Sequence, residues 1–321
     1  MFNRLLTNSK KNIFYPKKLE EYENFFKSEY INDWVENPCL CHKSTNDILL
    51  SKFDRHNVDF TTVICKNCGL IRAKKYLNNS SLTDFYKNHY RRLTKTILPA
   101  EKFLQQFQTS KRKGRYKLIE KYLSLKNKII FDIGGACGGV LSKYIESNET
   151  YLFDYDDNYL SFAKSKGIKT LKGGLEEALR EEKKPDLIIL SHVIEHWNNF
   201  EDELKKLNNL ADKNTFIYLE TPGIDSLKKG RRNSDILGDL QVAHKYYFSS
   251  KVLKNILIKY NFKVLYIDSE IRVICKKNDS INEYSLKNNY INTIIDLYLA
   301  EIRRYLSIQK SKIFKKNEFN K

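Results

Sequence analysis

Four cysteines crowd into the first quarter of a 321-residue chain that holds only six, and their spacing suits a metal better than disulfides. Cys65-Lys66-Asn67-Cys68-Gly69 puts two thiolates on a tight turn that a glycine releases, the local geometry of a zinc knuckle. Cys39-Leu40-Cys41 offers a second pair at an unusually short spacing, about two dozen residues earlier. Four thiolates meeting as a tetrahedron leave no open position, so the expected zinc ion is structural, with His42 as the main alternative ligand. In a reducing cytoplasm such clustering suggests metal before it suggests disulfides.

A second set of residues could hold a nucleoside. The run IIFDIGGACGG, Ile129 to Gly139, predicts a buried strand, a glycine-rich turn and then a helix. Asp132 stands just before the turn, which Gly134, Gly135, Ala136 and Gly138 form, and glycine there lets the backbone approach a ligand closely. Asp154 follows about 20 residues later at the end of the next apolar run, where a carboxylate bonds both ribose hydroxyls. Capping of the helix after it falls to Asp156 or Asp157. Two histidine segments complete the chemistry. In SHVIEH, Ser191 to His196, His192 and His196 stand four apart and would share a helix face, an arrangement that would also allow a zinc pair. His244, in QVAHKYYFS, has a side chain matched to proton transfer near neutral pH.

These residues need elements to position them. Apolar runs at Lys128–Ile133, Thr150–Phe153, Ile168–Leu171, Asp186–Leu190 and Thr215–Leu219 alternate with helical stretches, which implies crossover units and a mostly parallel sheet. Val264–Ile267 and Ile271–Cys275 are too close for a helix between them and predict a terminal antiparallel hairpin. Upstream, Asp47–Phe53 and Asp59–Ile64 read as strands between the cysteine pairs, and Leu19 to Tyr30 as a short helix. Ser81 to Leu125 is helical by its spacing, with Leu82, Phe85, Tyr86 and His89 on one face and Leu118, Tyr122 and Leu125 on another. The tail from Ile281 predicts a helix through Ile291, Ile294, Ile295, Tyr298, Leu299 and Ile302, fading into a basic end.

The run from about Asn127 to Lys276 resembles the class I S-adenosylmethionine-dependent methyltransferases. Their D-x-G-x-G-x-G turn is matched by Asp132, Gly134, Ala136 and Gly138, with Ala136 in place of the middle glycine. PDLIILSHVIEHW, Pro185 to Trp197, is similar to the family's fourth-strand motif, and FIYLETPG to its fifth strand. The resemblance implies a doubly wound, Rossmann-like α/β sheet and S-adenosylmethionine as cofactor. Asp132, Gly134, Gly135, Ala136, Gly138, Asp154, Gly174, Ser191 and His192 would contact it, with Gly174 or Glu176 near the adenine. His244-Lys245-Tyr246-Tyr247-Phe248-Ser249 resembles the H-x-x-Y-F-S segment of methyltransferases acting on nucleotide-linked sugars, where the histidine is a base. His244 and His192 are therefore the catalytic candidates. Ala243 stands where carbon-methylating members carry glutamate, which leaves the acceptor atom open between oxygen and carbon. Tyr86, Tyr90 and Arg91 are similar to that family's helical cover over the acceptor, and the cysteine module to its amino-terminal zinc-binding segment.

The expected layout is an amino-terminal segment (1–37), a zinc-ribbon-like module (38–78), a helical cover (79–126), the cofactor-binding domain (127–277) and a carboxyl-terminal helix with a basic tail (278–321). No run of about 18 apolar residues suggests a membrane span, and Met1 to Lys11 is too polar for a secretory signal, so a cytoplasmic location is expected. The formal net charge of +18 would suit a diphosphate-bearing substrate, yet lysine is spread along the whole chain. Its densest run, Lys111 to Arg115, is expected to be a solvated helix face. Transfer of a methyl group to a small acceptor, a nucleotide-linked or glycan-linked sugar, is the leading expectation. An RNA methyltransferase is the alternative, disfavoured because no Asn/Asp-Pro-Pro-aromatic motif follows the fourth strand to grip a flipped base. A non-catalytic binding protein on the same fold is the third.

Overall fold

Each apolar run of the sequence becomes a strand, with ends moved by a residue or two. In chain order the strands are β1 (Trp34–Glu36), β2 (Asp47–Phe53), β3 (Asp59–Cys65), β4 (Ile71–Ala73), β5 (Lys75–Leu77), β6 (Ile129–Ile133) and β7 (Glu149–Asp154). Then come β8 (Lys169–Lys172), β9 (Leu187–Ser191), β10 (Phe216–Glu220), β11 (Tyr246–Tyr247), β12 (Phe262–Ile267) and β13 (Arg272–Lys277). The computed structural model describes residues 32–43, 46–56, 58–89, 99–107, 113–278 and 286–318. The helix expected at Leu19 to Tyr30, and Tyr90 and Arg91, lie outside them. The chain forms two compact units: residues 1–81, 222–253 and 286–321 make one, and residues 82–221 and 254–285 the other.

The second unit is built on a seven-stranded sheet in the order β12-β13-β10-β9-β6-β7-β8. β10, β9, β6, β7 and β8 run parallel, whereas β13 is antiparallel to both β10 and β12. Ile130, Leu152, Leu187, Ile189, Tyr218 and Ile274 form one buried layer, and Tyr116, Ile119, Leu160 and Ala163 pack on it from helices Lys113–Tyr122 and Asp157–Ser165. Each large aliphatic side chain buried there stabilises the unit by about 2 kcal/mol. Asp156 caps helix Asp157–Ser165 by accepting from the Tyr159 amide at 3.0 Å, as the sequence implied.

One local expectation fails. The glycine turn after β6 leads into two 3-10 turns, Leu141–Lys143 and Ile145–Ser147, and not an α-helix. Buried Leu141 and Tyr144 stand three apart, the spacing that a 3-10 turn aligns, and Tyr144 N donates to Leu141 O at 2.7 Å.

The first unit holds an antiparallel sheet in the order β11-β4-β3-β2 and a separate β1–β5 pair. A long helix, Tyr290–Glu318, buries Leu297 and Ala300 against Leu50, Ile64, Ile71, Ile224, Leu237 and Tyr247. Its start also holds the cysteine turn. Thr293 Oγ1 donates to Gly69 O at 2.9 Å, and a Cβ on Gly69 would meet the Asn289 carbonyl at 2.7 Å. With φ at +82°, position 69 requires glycine on both counts. Among the described residues, no helix is long and apolar enough to cross a membrane.

Candidate functional site

The carboxyl ends of β6, β7, β9 and β10 meet where the sheet order reverses direction, the place at which open α/β sheets bind ligands. Asp154, at the end of β7, organises this edge. Its Oδ2 accepts from the Ala136 amide at 2.8 Å and its Oδ1 from the Asp156 amide at 3.0 Å. The first bond ties the glycine turn to the neighbouring strand. It holds Ala136 at φ +54°, left-handed backbone that costs an alanine more than the glycine it replaces. Gly173 N donates to Asp154 O at 3.0 Å, which brings the Gly173–Gly174 turn alongside. Tyr155 follows Asp154, is 69% exposed, and was not singled out by the sequence. Its hydroxyl lies 3.1 Å from where a Cβ on Gly174 would stand. Glu176 is instead ion-paired with Lys206.

The glycines of the turn serve packing first. A Cβ on Gly135 would run into Asp132 Oδ2, one on Gly138 would meet Ile168 Cδ1 at 2.5 Å, and one on Gly134 would meet Val193 Cγ2 at 2.8 Å. The Asp132 carboxyl thus fills the space beneath the turn. It is fully buried, and neither oxygen has a hydrogen-bond partner among the described residues. Burial pushes it up to about 8, against the pull of Arg115 and with a further rise from Asp154, so it is largely protonated near neutral pH.

Arg115 corrects the sequence reading of the basic run. It is 3% exposed and pairs with Glu220 at 2.6 Å, so this residue belongs to the interior and not to a solvated face. Lys111 and Arg112 lie outside the described residues. Glu220 ends β10 and also accepts from Tyr218 Oη at 2.8 Å. Burial works against its charge, yet Arg115 and His192 outweigh that and hold the carboxyl below its usual range. Neither Arg115 nor Glu220 was a candidate from sequence. The one available signal was a glutamate closing an otherwise apolar strand.

Ser191 and His192 stand at the end of β9, with Ser191 Oγ 3.5 Å from Glu220 Oε2. The helix face expected for His192 and His196 does not form. His192 has φ +60°, and only the short 3-10 turn Ile194–His196 follows, so the two rings are not stacked on one helix. Both instead flank the buried Glu195, with His192 Nδ1 at 3.4 Å and His196 Nε2 at 4.0 Å from its Oε1. His196 is further held by Tyr86, whose hydroxyl lies 2.7 Å from Nδ1. Tyr86 sits in a π-helical turn, Phe85–His89, a distortion often found at functional sites.

His244 lies in the first unit, in a loop fixed by polar side chains. Arg55 Nη2 donates to Gln241 Oε1, and Gln241 Nε2 lies 2.5 Å from His244 Nε2. Arginine can only donate, so the amide oxygen must face it and the amide nitrogen must face the ring. His244 Nε2 therefore accepts, and the neutral ring carries its proton on Nδ1. The Gln241 backbone is clamped as well: its N–H donates to Tyr247 Oη at 3.0 Å, and that hydroxyl donates back to Gln241 O at 3.1 Å. Lys245 is buried beside the Tyr76 and Tyr246 rings, and burial lowers it to about 8.

The four predicted cysteines converge in the same unit. Cys39 and Cys68 Sγ are 3.4 Å apart, Cys41 and Cys65 Sγ 3.7 Å, and all four lie within 4.8 Å of one another. A tetrahedron with Zn–S bonds of about 2.3 Å has sulfurs about 3.8 Å apart, so the donor set fits that ion. All four thiols are free, and His42, which is exposed, is not among them. Hydrogen bonds from neighbouring thiols hold Cys41 and Cys65 below the ordinary thiol range, Cys65 at about 7. Buried Arg72, bidentate to Asp47 at 2.9 and 3.0 Å, places a positive charge near Cys39 and Cys65.

A mostly parallel sheet with a glycine turn after one strand and a carboxylate closing the next defines a nucleoside-binding α/β protein. Residues 100–267, more than half of the chain, match the methyltransferase domain family, and the chain belongs to it. It is an S-adenosylmethionine-dependent methyltransferase. Among solved structures, it is similar to human N-acetylserotonin methyltransferase at 14% identity, over 63% of this chain and 65% of that one, with a TM-score of 0.42. The magnesium protoporphyrin IX methyltransferase of Synechocystis gives 14% identity, 62% and 100% coverage and a TM-score of 0.43. A methyltransferase from Aquifex aeolicus gives 15%, 56% and 97%, and 0.40. No curated protein matches the chain.

Two outcomes follow for the second unit. Asp132 holds a proton in the folded chain between its ordinary 3.8 and about 8, which the unfolded chain releases. Its contribution is thus greatest at low pH and is lost as pH rises through about 8, by at most about 1.4 kcal/mol per pH unit. Asp132→Asn should flatten that fall between pH 5 and 9 in urea denaturation; an unchanged slope would place the proton elsewhere. Asp154→Ala should weaken S-adenosylmethionine binding at least tenfold in calorimetry, through loss of the Ala136 tether and of the ribose contact proposed for this carboxylate. Wild-type affinity would contradict the assignment.

Proposed function

We propose that the enzyme methylates a sugar carried on a nucleotide or a growing glycan, and that one structural zinc ion is held by Cys39, Cys41, Cys65 and Cys68. The cofactor supplies a methyl group on a sulfonium, already a good leaving group, so the protein's main task is to position the acceptor and remove its proton. Asp132, Gly134, Gly135, Ala136, Gly138, Asp154, Gly174, Ser191 and His192 are the residues assigned to the cofactor. The observation that carries the sugar reading is the His244–Ser249 segment, in which a histidine of the right type is oriented by the Gln241 amide and a buried arginine.

His244 is the proposed base. When an acceptor hydroxyl is methylated, its proton would pass to the His244 ring at Nε2. That nitrogen accepts from Gln241, so the acceptor must displace the amide to use it. The RNA reading is weakened by Arg115, because part of the basic run offered to a polyanion is committed to Glu220.

Labelled cofactor and a panel of nucleotide sugars form the direct test; label recovered in RNA alone would reverse the order of the two readings. His244→Ala should lower turnover about 100-fold or more while cofactor affinity stays within a factor of two, as loss of a general base does. Survival of turnover would place the base elsewhere. Cys65→Ser should release zinc and lower the thermal midpoint of the first unit. Elemental analysis finding no zinc in the purified wild-type chain would end the metal assignment.

A further inference from the structure

The strand that follows His244 is laid against the sheet that carries half of the cysteines. β11 pairs antiparallel with β4, Tyr246 opposite Arg72 and Tyr247 opposite Ile71, and β4 pairs in turn with β3, which ends in Cys65. Two further bonds hold the His244 segment to this edge. The Ala73 amide donates to Lys245 O at 3.0 Å, and Tyr76 Oη donates to Ala243 O at 3.1 Å. Asn37 and Arg72, 3 and 2% exposed, join the same edge to the thiols. Asn37 stands two residues before Cys39. Its backbone N–H donates to Lys74 O at 2.9 Å, its Nδ2 donates to Ala73 O at 2.9 Å, and its Oδ1 accepts from Tyr246 Oη at 3.4 Å. Its carbonyl accepts from Arg72 Nε at 3.0 Å. The other two nitrogens of Arg72 bond Asp47, the cross-strand neighbour of Cys65. One guanidinium thus reaches the segment leading into the first cysteine pair and the strand beside the second, which its planar fork of donors allows.

We propose that Asn37 and Arg72 are positioning residues that couple the cysteine site to the His244 loop, so that an ion held by the four thiols also fixes residues 243–247 on their edge. The inference rests on the zinc assignment made above. An ion that draws Cys39 and Cys41 onto Cys65 and Cys68 restrains Asn37 against β4, and Asn37 presents its side-chain oxygen to Tyr246. Without that restraint Asn37 is held by hydrogen bonds, each worth about 1 kcal/mol net. β11 is two residues long and lies at the edge of its sheet, so it has few ladder bonds of its own and leans on these side-chain ties. The link itself is stiff, because breaking a buried arginine–carboxylate pair strands a charge. The coupling is also reciprocal: a change that loosens residues 243–247 weakens the hold on the ion by the same factor.

Hydrogen exchange of the full chain, read by mass spectrometry over residues 243–248 and compared with residues 48–53 of β2, tests this alongside zinc affinity. Removal of zinc by a chelator should speed exchange at 243–248 at least tenfold. Asn37→Ala loaded with one zinc ion should show the same acceleration there with exchange at 48–53 unchanged. Its zinc dissociation constant should rise at least tenfold, as loss of a group behind the ligands does. Should Asn37→Ala not fold, Tyr246→Phe removes a single hydroxyl and should raise both quantities about two- to fivefold. Exchange at 243–248 that is indifferent to zinc removal, or to both substitutions in the zinc-loaded chain, overturns the coupling and leaves the metal assignment standing. Acceleration spread equally over 48–53 in the zinc-loaded variants means a loosened sheet and overturns it as well. A wild-type chain that takes up no zinc overturns the metal assignment and this inference together.

Discussion

A single carboxylate ties the cofactor edge of the second unit together. Asp154 closes β7, and by accepting from the Ala136 amide it fixes a turn belonging to β6. The backbone conformation at 136 is unfavourable for alanine, and such a conformation persists only where its surroundings over-determine it. Those surroundings are visible on each side. Val193 closes over Gly134, Asp132 and Leu152 fill the room beside Gly135, and Ile168 abuts Gly138. The turn is therefore a packed object with its amides already oriented, which is what a site that must bind a nucleoside without prior rearrangement requires.

The same edge carries a graded set of charges. Asp132 is buried deeply enough to keep its proton near neutral pH, whereas Glu220, whose side chain is 18% exposed, remains a carboxylate because Arg115 and His192 favour its charge. Two acids at the ends of strands in one sheet thus take opposite states, set by their difference in burial and by the cations beside Glu220. Glu195 adds a third acid, flanked by His192 and His196 and steadied at one remove by Tyr86 from a π-helical turn. In the first unit the arrangement differs in kind. Cys65 closes β3 and Cys68 lies in the turn after it, whose glycine is locked under the start of the last helix, so this half of the cysteine cluster and that helix depend on one another. The loop of His244 is ordered by hydrogen bonds whose direction the donor-only guanidinium of Arg55 dictates.

Much of this was legible in the chain before any coordinates. Alternation and run length located the strands of the main sheet, and the three-residue gap between the last two implied the antiparallel hairpin, because no crossover fits in it. The convergence of the four cysteines was recognisable from type and spacing alone, since thiols that could share one ion must sit on short turns. The acid and glycines of the turn after β6, and Asp154 one strand later, follow from local rules of φ and of strand ends. These features share a property: each is decided by residues within a few positions of one another, or by a periodicity that any window of sequence displays.

Tertiary structure alone decided the rest. Arg115 stood in a run of basic residues and carried no local mark of burial; its environment is set by Glu220, far along the chain. The protonation state of Asp132 depends on how many atoms exclude water from it, which no motif records. The hydrogen-bond direction at His244 required Arg55 and Gln241 to meet across 186 positions of sequence. Spacing suggested a helix for His192 and His196, but a left-handed residue at 192 redirected the chain. Local pattern fixes what a segment can become; the dielectric, the partners and the backbone strain around a side chain are properties of the fold, and they determine its chemistry.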